Sequence, residues 1–264
     1  MRRALASCLT VAMLFAAPVH AEAENPLRAG GSWDDLAYDI LGDVTPEPAG
    51  DALALDAPFR AYDPALVPVH LTQPPDAPVI GELVLVVDEN PAPVAATIRL
   101  SPAMHPLDFE MRVRVEQYSN IRAIAESEGG TLMTGRFVRA TGGCAAPAGR
   151  DAAEALAQMG RMRLLSLQKA DGYRQVRLMI RHPNYSGLQR DQRTLLNIPA
   201  HFVDQLEVWQ GEEMLFAVEG GISVSEDPVY DFRFRDNGAP ALRVVATDTR
   251  GNRFEQDLPL EGRG

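Results

Sequence analysis

From about residue 51 the chain alternates between apolar and polar positions with a period of two. In "FEMRVRVEQ", Phe109, Met111, Val113 and Val115 share one face, and Glu110, Arg112, Arg114 and Glu116 share the other. That spacing predicts a half-buried strand. "GELVLVV" and "VAATIRL" read as strands separated by the turn "DENPAP". "ALVPVHLTQ" reads as a strand that Pro68 pushes toward a sheet edge, because proline donates nothing to a ladder. "DALALDAP" alternates leucine and alanine and is a weaker strand. "NIRAIAES", "EGG" and "TLMTGRFVRAT" predict a hairpin. Roughly seven short strands with regular turns point to a β-sandwich over residues 51–141.

A second β pattern fills residues 161–264. "GYRQVRLMIRHP" alternates, and "HFVDQLEVWQGEEMLFAVEGGI" reads as two strands turning near Gly211. "YDFRFRDNGAPALRVVATDT" predicts a hairpin. Phe232 and Phe234 point one way, Asp231, Arg233 and Arg235 the other, and Asn237–Gly238 supplies the turn. "TDTRGNRFEQDLPL" adds a further strand pair. The predicted fold is therefore all-β, two immunoglobulin-like sandwiches joined by a linker at residues 142–160. In that linker "GGCAAPAG" is small and flexible, and "RDAAEALAQMG" is a short helix. Asp151 and Glu154 have capping-box spacing, and Gly160 is a stop. Residues 22–50 hold one helix candidate, "WDDLAYDILGD", with Trp33, Leu36 and Ile40 on one face.

The N-terminus changes the picture of where the chain works. Arg2 and Arg3, the apolar run "ALASCLTVAMLFAA" and the small residues of "PVHA" form a secretory signal, with cleavage expected after Ala21. The apolar run is too short for a membrane span. "LASC" precedes most of that run, so it is not a lipid-attachment box. A net charge of -11 argues against a nucleic-acid or anionic-membrane binder. Cleavage removes Cys8 and leaves Cys144 as a single thiol in an oxidising compartment, where a leftover cysteine signals intermolecular pairing or a reactive thiol.

Cys144 is the sharpest chemical feature. Gly142 and Gly143 before it and Ala145 and Ala146 after it suggest a flexible arm with an accessible sulfur. Arg136, Arg139 and Arg150 lie near in sequence and could favour the thiolate. A lone cysteine is more often a small buried hydrophobe, but a glycine-flanked loop offers little core to bury it in. His70, His105, His182 and His201 are scattered without metal-ligand spacing, so no metal site is expected. No nucleophile-elbow, P-loop or dinucleotide motif is present.

"IRAIAESEGGTLMTGRFVRATGGC" resembles the C-terminal part of SoxY, the cysteine-bearing subunit of the periplasmic SoxYZ carrier, whose members end in a GGCGG-like swinging arm. The "RHPNYSGL…D…IPAHF" and "DP…FRFR" regions resemble SoxZ, its immunoglobulin-like partner. The order of the two resembles a fused SoxYZ-like group found beside quinoprotein (PQQ-dependent) dehydrogenases. The resemblance implies a non-enzymatic periplasmic carrier that needs no cofactor. It would hold sulfur-containing cargo covalently on Cys144 and present it to redox enzymes or cytochromes, with SoxY-like and SoxZ-like halves paired inside one chain. Two departures stand out. The tip is "GGCAAP", and the arm is tethered at both ends. An alternative is a non-covalent adaptor for a quinoprotein dehydrogenase or its cytochrome. A thiol peroxidase is a third reading, disfavoured because the all-β pattern lacks a thioredoxin-like α/β framework.

Overall fold

The structure, a computed structural model, describes residues 27–28, 31–149 and 151–260. The expected leader, residues 1–21, lies outside them. Two helices are present, α1 (Trp33–Leu41) and α2 (Ala152–Gln158). The first half contributes β1 (Glu47–Pro48), β2 (Ala54–Asp56), β3 (Val67–Thr72), β4 (Ile80–Val87), β5 (Val94–Leu100), β6 (Asp108–Val113), β7 (Ser119–Ser127) and β8 (Gly130–Val138). The second contributes β9 (Met162–Ala170), β10 (Tyr173–Ile180), β11 (Val203–Gln210), β12 (Glu213–Gly220), β13 (Val229–Arg235), β14 (Ala241–Asp248) and β15 (Arg253–Pro259). Among the described residues no helix is long and apolar enough to cross a membrane.

The all-β, immunoglobulin-like expectation holds, and the two halves are joined along their sheets. One nine-stranded sheet runs β1-β8-β7-β4-β5-β12-β11-β14-β15, and a six-stranded sheet runs β2-β3-β6-β13-β10-β9. Each crosses from one half to the other through an antiparallel pair. Phe216 of β12 lies opposite Leu100 of β5, and Phe232 of β13 lies opposite Phe109 of β6. The hydrophobic core is correspondingly continuous across the seam. Phe109 meets Phe216 edge-on at 5.3 Å between ring centroids, and Phe216 meets Phe232 at 4.8 Å. Edge-to-face contacts of this kind add to the free energy of burial.

Several local expectations hold. β7 and β8 form the hairpin, β11 and β12 turn at Gly211, and β14 pairs with β15. α2 is capped by Asp151, whose carboxylate accepts from the amides of Ala153 and Glu154, and Gly160 has φ +80 at its stop. Two expectations are corrected. β13 and β14 are not a hairpin, because they lie in opposite sheets. Phe232 and Phe234 face the core from one sheet, Leu242, Val244 and Ala246 from the other, and the Asn237–Gly238 turn bridges them. β3 is not an edge strand either, since it sits between β2 and β6. β2 reaches only from Thr72 to His70 along it, so Pro68 still meets no donor requirement on that side.

A candidate carrier thiol clasped between the two halves

Beyond Val113 the chain leaves β6 and forms a ledge for the cysteine segment. The Arg114 amide donates to Ser223 O at 2.7 Å, and the Val115 amide donates to Pro64 O at 2.8 Å. Asn90 braces the ledge, donating to Arg114 O and accepting from the Glu116 amide, both at 2.8 Å. The arm, residues 142–149, lies on this ledge. Gly142 N–H donates to Glu116 O at 2.8 Å, Gly143 N–H to Val115 O at 3.1 Å, and Cys144 N–H to Glu116 Oε2 at 2.8 Å.

The second half closes over the arm. Ser186 Oγ donates to Cys144 O at 2.5 Å, and Gln189 Nε2 donates to Ala146 O at 2.9 Å. Arg114, 1% exposed, joins the two halves by donating to Gly143 O and Asn184 O, each at 3.2 Å. Burial lowers its pKa, opposed by the charges of Glu226 and Asp63.

The result overturns the expectation of an exposed thiol. Cys144 is fully buried, while Ala145 is exposed and Ala146 half-buried. Burial pushes the Cys144 thiol up to about 12, the Glu116 charge and its hydrogen bond push the same way, and only Arg114 opposes them. A thiol so placed stays protonated at neutral pH and is a poor nucleophile while docked. The expected thiolate-favouring arginines do not serve it. Arg136 reaches Asp56 at 2.9 Å, and Arg139 stacks over Phe59 at 4.8 Å. Arg136 on β8 and Arg139 just beyond it both partner residues of the first half. Arg150 lies outside the described residues. The sequence pattern had placed Arg114 on a solvent face; it is buried because the strand ends at Val113 and the second half covers the next residue.

The glycines permit docking, a different role from the looseness expected of them. Gly142 has φ +79, a left-handed conformation that favours glycine. Gly143 is pressed against the ledge, and a Cβ there would lie 2.1 Å from Pro64 O and 2.7 Å from Val115 O. Gly143→Ala should therefore unseat the arm. It should lower stability by about 1–3 kcal/mol in thermal denaturation and raise the rate at which a thiol reagent labels Cys144. Unchanged labelling would show that the arm is not held by this contact.

His182, His201 and Asp248, far apart in sequence, meet in the interior. His201 Nε2 is 2.8 Å and His182 Nε2 3.3 Å from Asp248 Oδ2. All three are buried, and their ligand atoms lie within 4.8 Å of one another, enough donors to consider a metal. The protons argue otherwise. The Asn184 amide donates to His182 Nδ1 at 3.1 Å, which puts that ring's proton on Nε2, facing the carboxylate. The Asp248 carboxyl lies well below its usual range: burial raises it, and hydrogen bonds from Asn252, His201 and Arg250 outweigh that. The trio anchors the loop carrying Asn184, Ser186 and Gln189, and so supports the clasp on Cys144. Tyr185 and His201 also exchange backbone hydrogen bonds of 2.8 and 2.9 Å.

Comparison with known proteins agrees with this division. The family model for sulfur oxidation protein SoxY matches residues 37–144, ending on the cysteine, and that for sulphur oxidation protein SoxZ matches residues 162–259. Among solved structures, the sulfur carrier protein SoxY from Chlorobium limicola f thiosulfatophilum is similar. It is 21% identical, with a TM-score of 0.36, over 41% of this chain and 91% of that one. No curated protein matches the chain. With a SoxY domain followed by a SoxZ domain, sharing both sheets and enclosing the cysteine between them, the chain is a fused SoxYZ-like protein of the sulfur-oxidation carrier families.

Proposed function

We propose that this chain is exported and carries sulfur covalently on Cys144, alternating between the docked arm and a released one. The observation that carries the reading is that the SoxY match ends on the one cysteine among the described residues, and that both halves converge on it. In the docked state Arg114, Glu116, Ser186 and Gln189 hold the arm, and burial together with the Glu116 charge keeps the thiol protonated. Released, the thiol returns toward the ordinary cysteine value of 9.0 and becomes a competent nucleophile. It can then take a sulfur group by exchange on an existing sulfur–sulfur bond, expelling the other sulfur as a thiolate. Joining it instead to a second reduced sulfur releases two electrons, which calls for a redox enzyme or cytochrome as partner. A quinoprotein dehydrogenase system is the proposed client. The chain supplies a platform and a handle, and the chemistry belongs to its clients.

The burial of Cys144 favours one second reading, a non-covalent adaptor in which the thiol only helps to seal the seam. Intact-mass analysis of the exported fraction separates the two. Carriage gives Cys144 adducts that reductant removes and that are absent from Cys144→Ser. The same spectra should show a chain beginning at Glu22 if the leader is cleaved as expected. A thiol that stays unmodified while neighbouring sulfur or dehydrogenase genes are expressed, with client function intact in Cys144→Ser, would favour the adaptor.

A further inference from the structure

A cavity of about 590 Å³ lies between the outer face of the six-stranded sheet and the chain leading away from Cys144. Its floor is a row across adjacent strands. Arg163, Met179 and Val229 stand opposite one another on β9, β10 and β13, and Arg112 lies beyond them on β6. Pro147 and Gly149 of the arm and Gln158 of α2 line it from the arm side. Arg114, Arg161 and Arg181 complete a group of five arginines, in a chain whose net charge is -11.

These cations exceed the acidic groups around them. Arg181 pairs with Asp227 at 2.6 Å. Glu226 accepts the Gly149 amide at 2.8 Å, and Asp63 accepts the amide of Ala65 at 2.8 Å. Arg112, Arg161 and Arg163 form no ion pair among the described residues. Arg114 is buried, spends two of its nitrogens on carbonyls and leaves its Nε–H without an acceptor. A buried donor without an acceptor is costly, and Arg114 carries its positive charge at the cavity wall. Planar guanidiniums fit carboxylate and sulfonate groups. Met179, Val229, Leu66 and Pro147 give the same cavity an apolar lining, and its volume is that of a small-molecule site.

From this juxtaposition we infer that the cavity binds a small organic anion, a carboxylate or sulfonate on an apolar body, and that its occupancy holds the arm docked. The ligand would touch the sheet and Pro147–Gly149 together, so it binds the docked state better than the released one. Linkage then requires it to lower the population in which Cys144 is released. The site does not depend on what Cys144 carries, and it can be tested in Cys144→Ser as well as in the wild-type chain.

The probes are phenylacetate and benzenesulfonate, with phenylacetamide as the neutral control and sulfate as the control without an apolar body. Calorimetric titration at millimolar probe should give saturable one-to-one binding of the two organic anions. Affinity should fall about tenfold or more in Arg112→Gln, the loss expected for one charge-assisted hydrogen bond. Arg163→Gln, at an exposed position that tolerates change, should weaken binding in the same direction. Saturating probe should slow iodoacetamide labelling of wild-type Cys144. Absence of saturable binding, equal binding of phenylacetamide, or affinity unchanged in both variants would overturn the site. Sulfate binding as tightly as benzenesulfonate would overturn the ligand class. Binding with no change in labelling rate would overturn the link to the arm.

Discussion

Near pH 8, iodoacetamide should alkylate Cys144 in the folded protein about a thousandfold more slowly than in the same chain unfolded by denaturant. Alkylation proceeds through the thiolate. A thiol held at about 12, against an ordinary value of 9.0, has its thiolate fraction cut by about three powers of ten at that pH. Under the proposed alternation a released arm would supply a parallel route, so the measured ratio reports how rarely the arm leaves its ledge. A ratio of only a few-fold would mean that the docked state is a minor one in solution. Glu116→Gln removes the charge that acts after burial and should speed labelling of the folded protein. The same shift sets a pH dependence of stability. The folded chain keeps the thiol proton while the unfolded chain loses it above its lower pKa. The docked thiol's contribution is therefore whole below about pH 9 and is lost as pH rises from there through about 12.

Phe216→Ala should destabilise the protein by about 3–5 kcal/mol, roughly a 10 °C fall in Tm for a chain of this size. The ring is fully buried. It packs edge-on against Phe109 of the SoxY domain and Phe232 of the SoxZ domain. Its loss opens a cavity at the seam, where neither domain can close it alone. Because both sheets and the core run through, calorimetry should show one transition before and after the substitution. Two separated transitions, with only the SoxZ one shifted, would show that the domains fold independently.

Most strands were legible because each is a short alternating run with a turn beside it, as in "FEMRVRVEQ" and the β7–β8 pair. α2 was legible from Asp151 and Gly160. Alternation assigns a side chain to one of two faces, but it cannot say what covers that face. That is why Arg114 was misplaced: the pattern was right through Val113, and the covering domain lies 70 residues further on at Asn184. The β13–β14 error has a similar origin, since a turn motif fits a hairpin and a sheet-to-sheet bridge alike. At Cys144 the glycines read as looseness in one dimension. In three they are the residues that fit against Pro64 O. His182, Ser186 and His201 lie in the SoxZ-resembling "RHPNYSGL…D…IPAHF" region, but their meeting with Asp248 and Cys144 had no local signature, because it is partnership across long stretches of chain.

The strand pairs that join the domains, β5 with β12 and β6 with β13, form inside one polypeptide. A two-subunit carrier is subject to mass action: dilution dissolves it, and unequal synthesis leaves bare sheet edges that invite unwanted strand pairing. Here the covalent link holds the partner domain at a high effective concentration however little protein the cell makes. Every chain therefore emerges with its thiol already matched one-to-one to its clasp, and the carrier can work at low abundance without a reserve of free subunits.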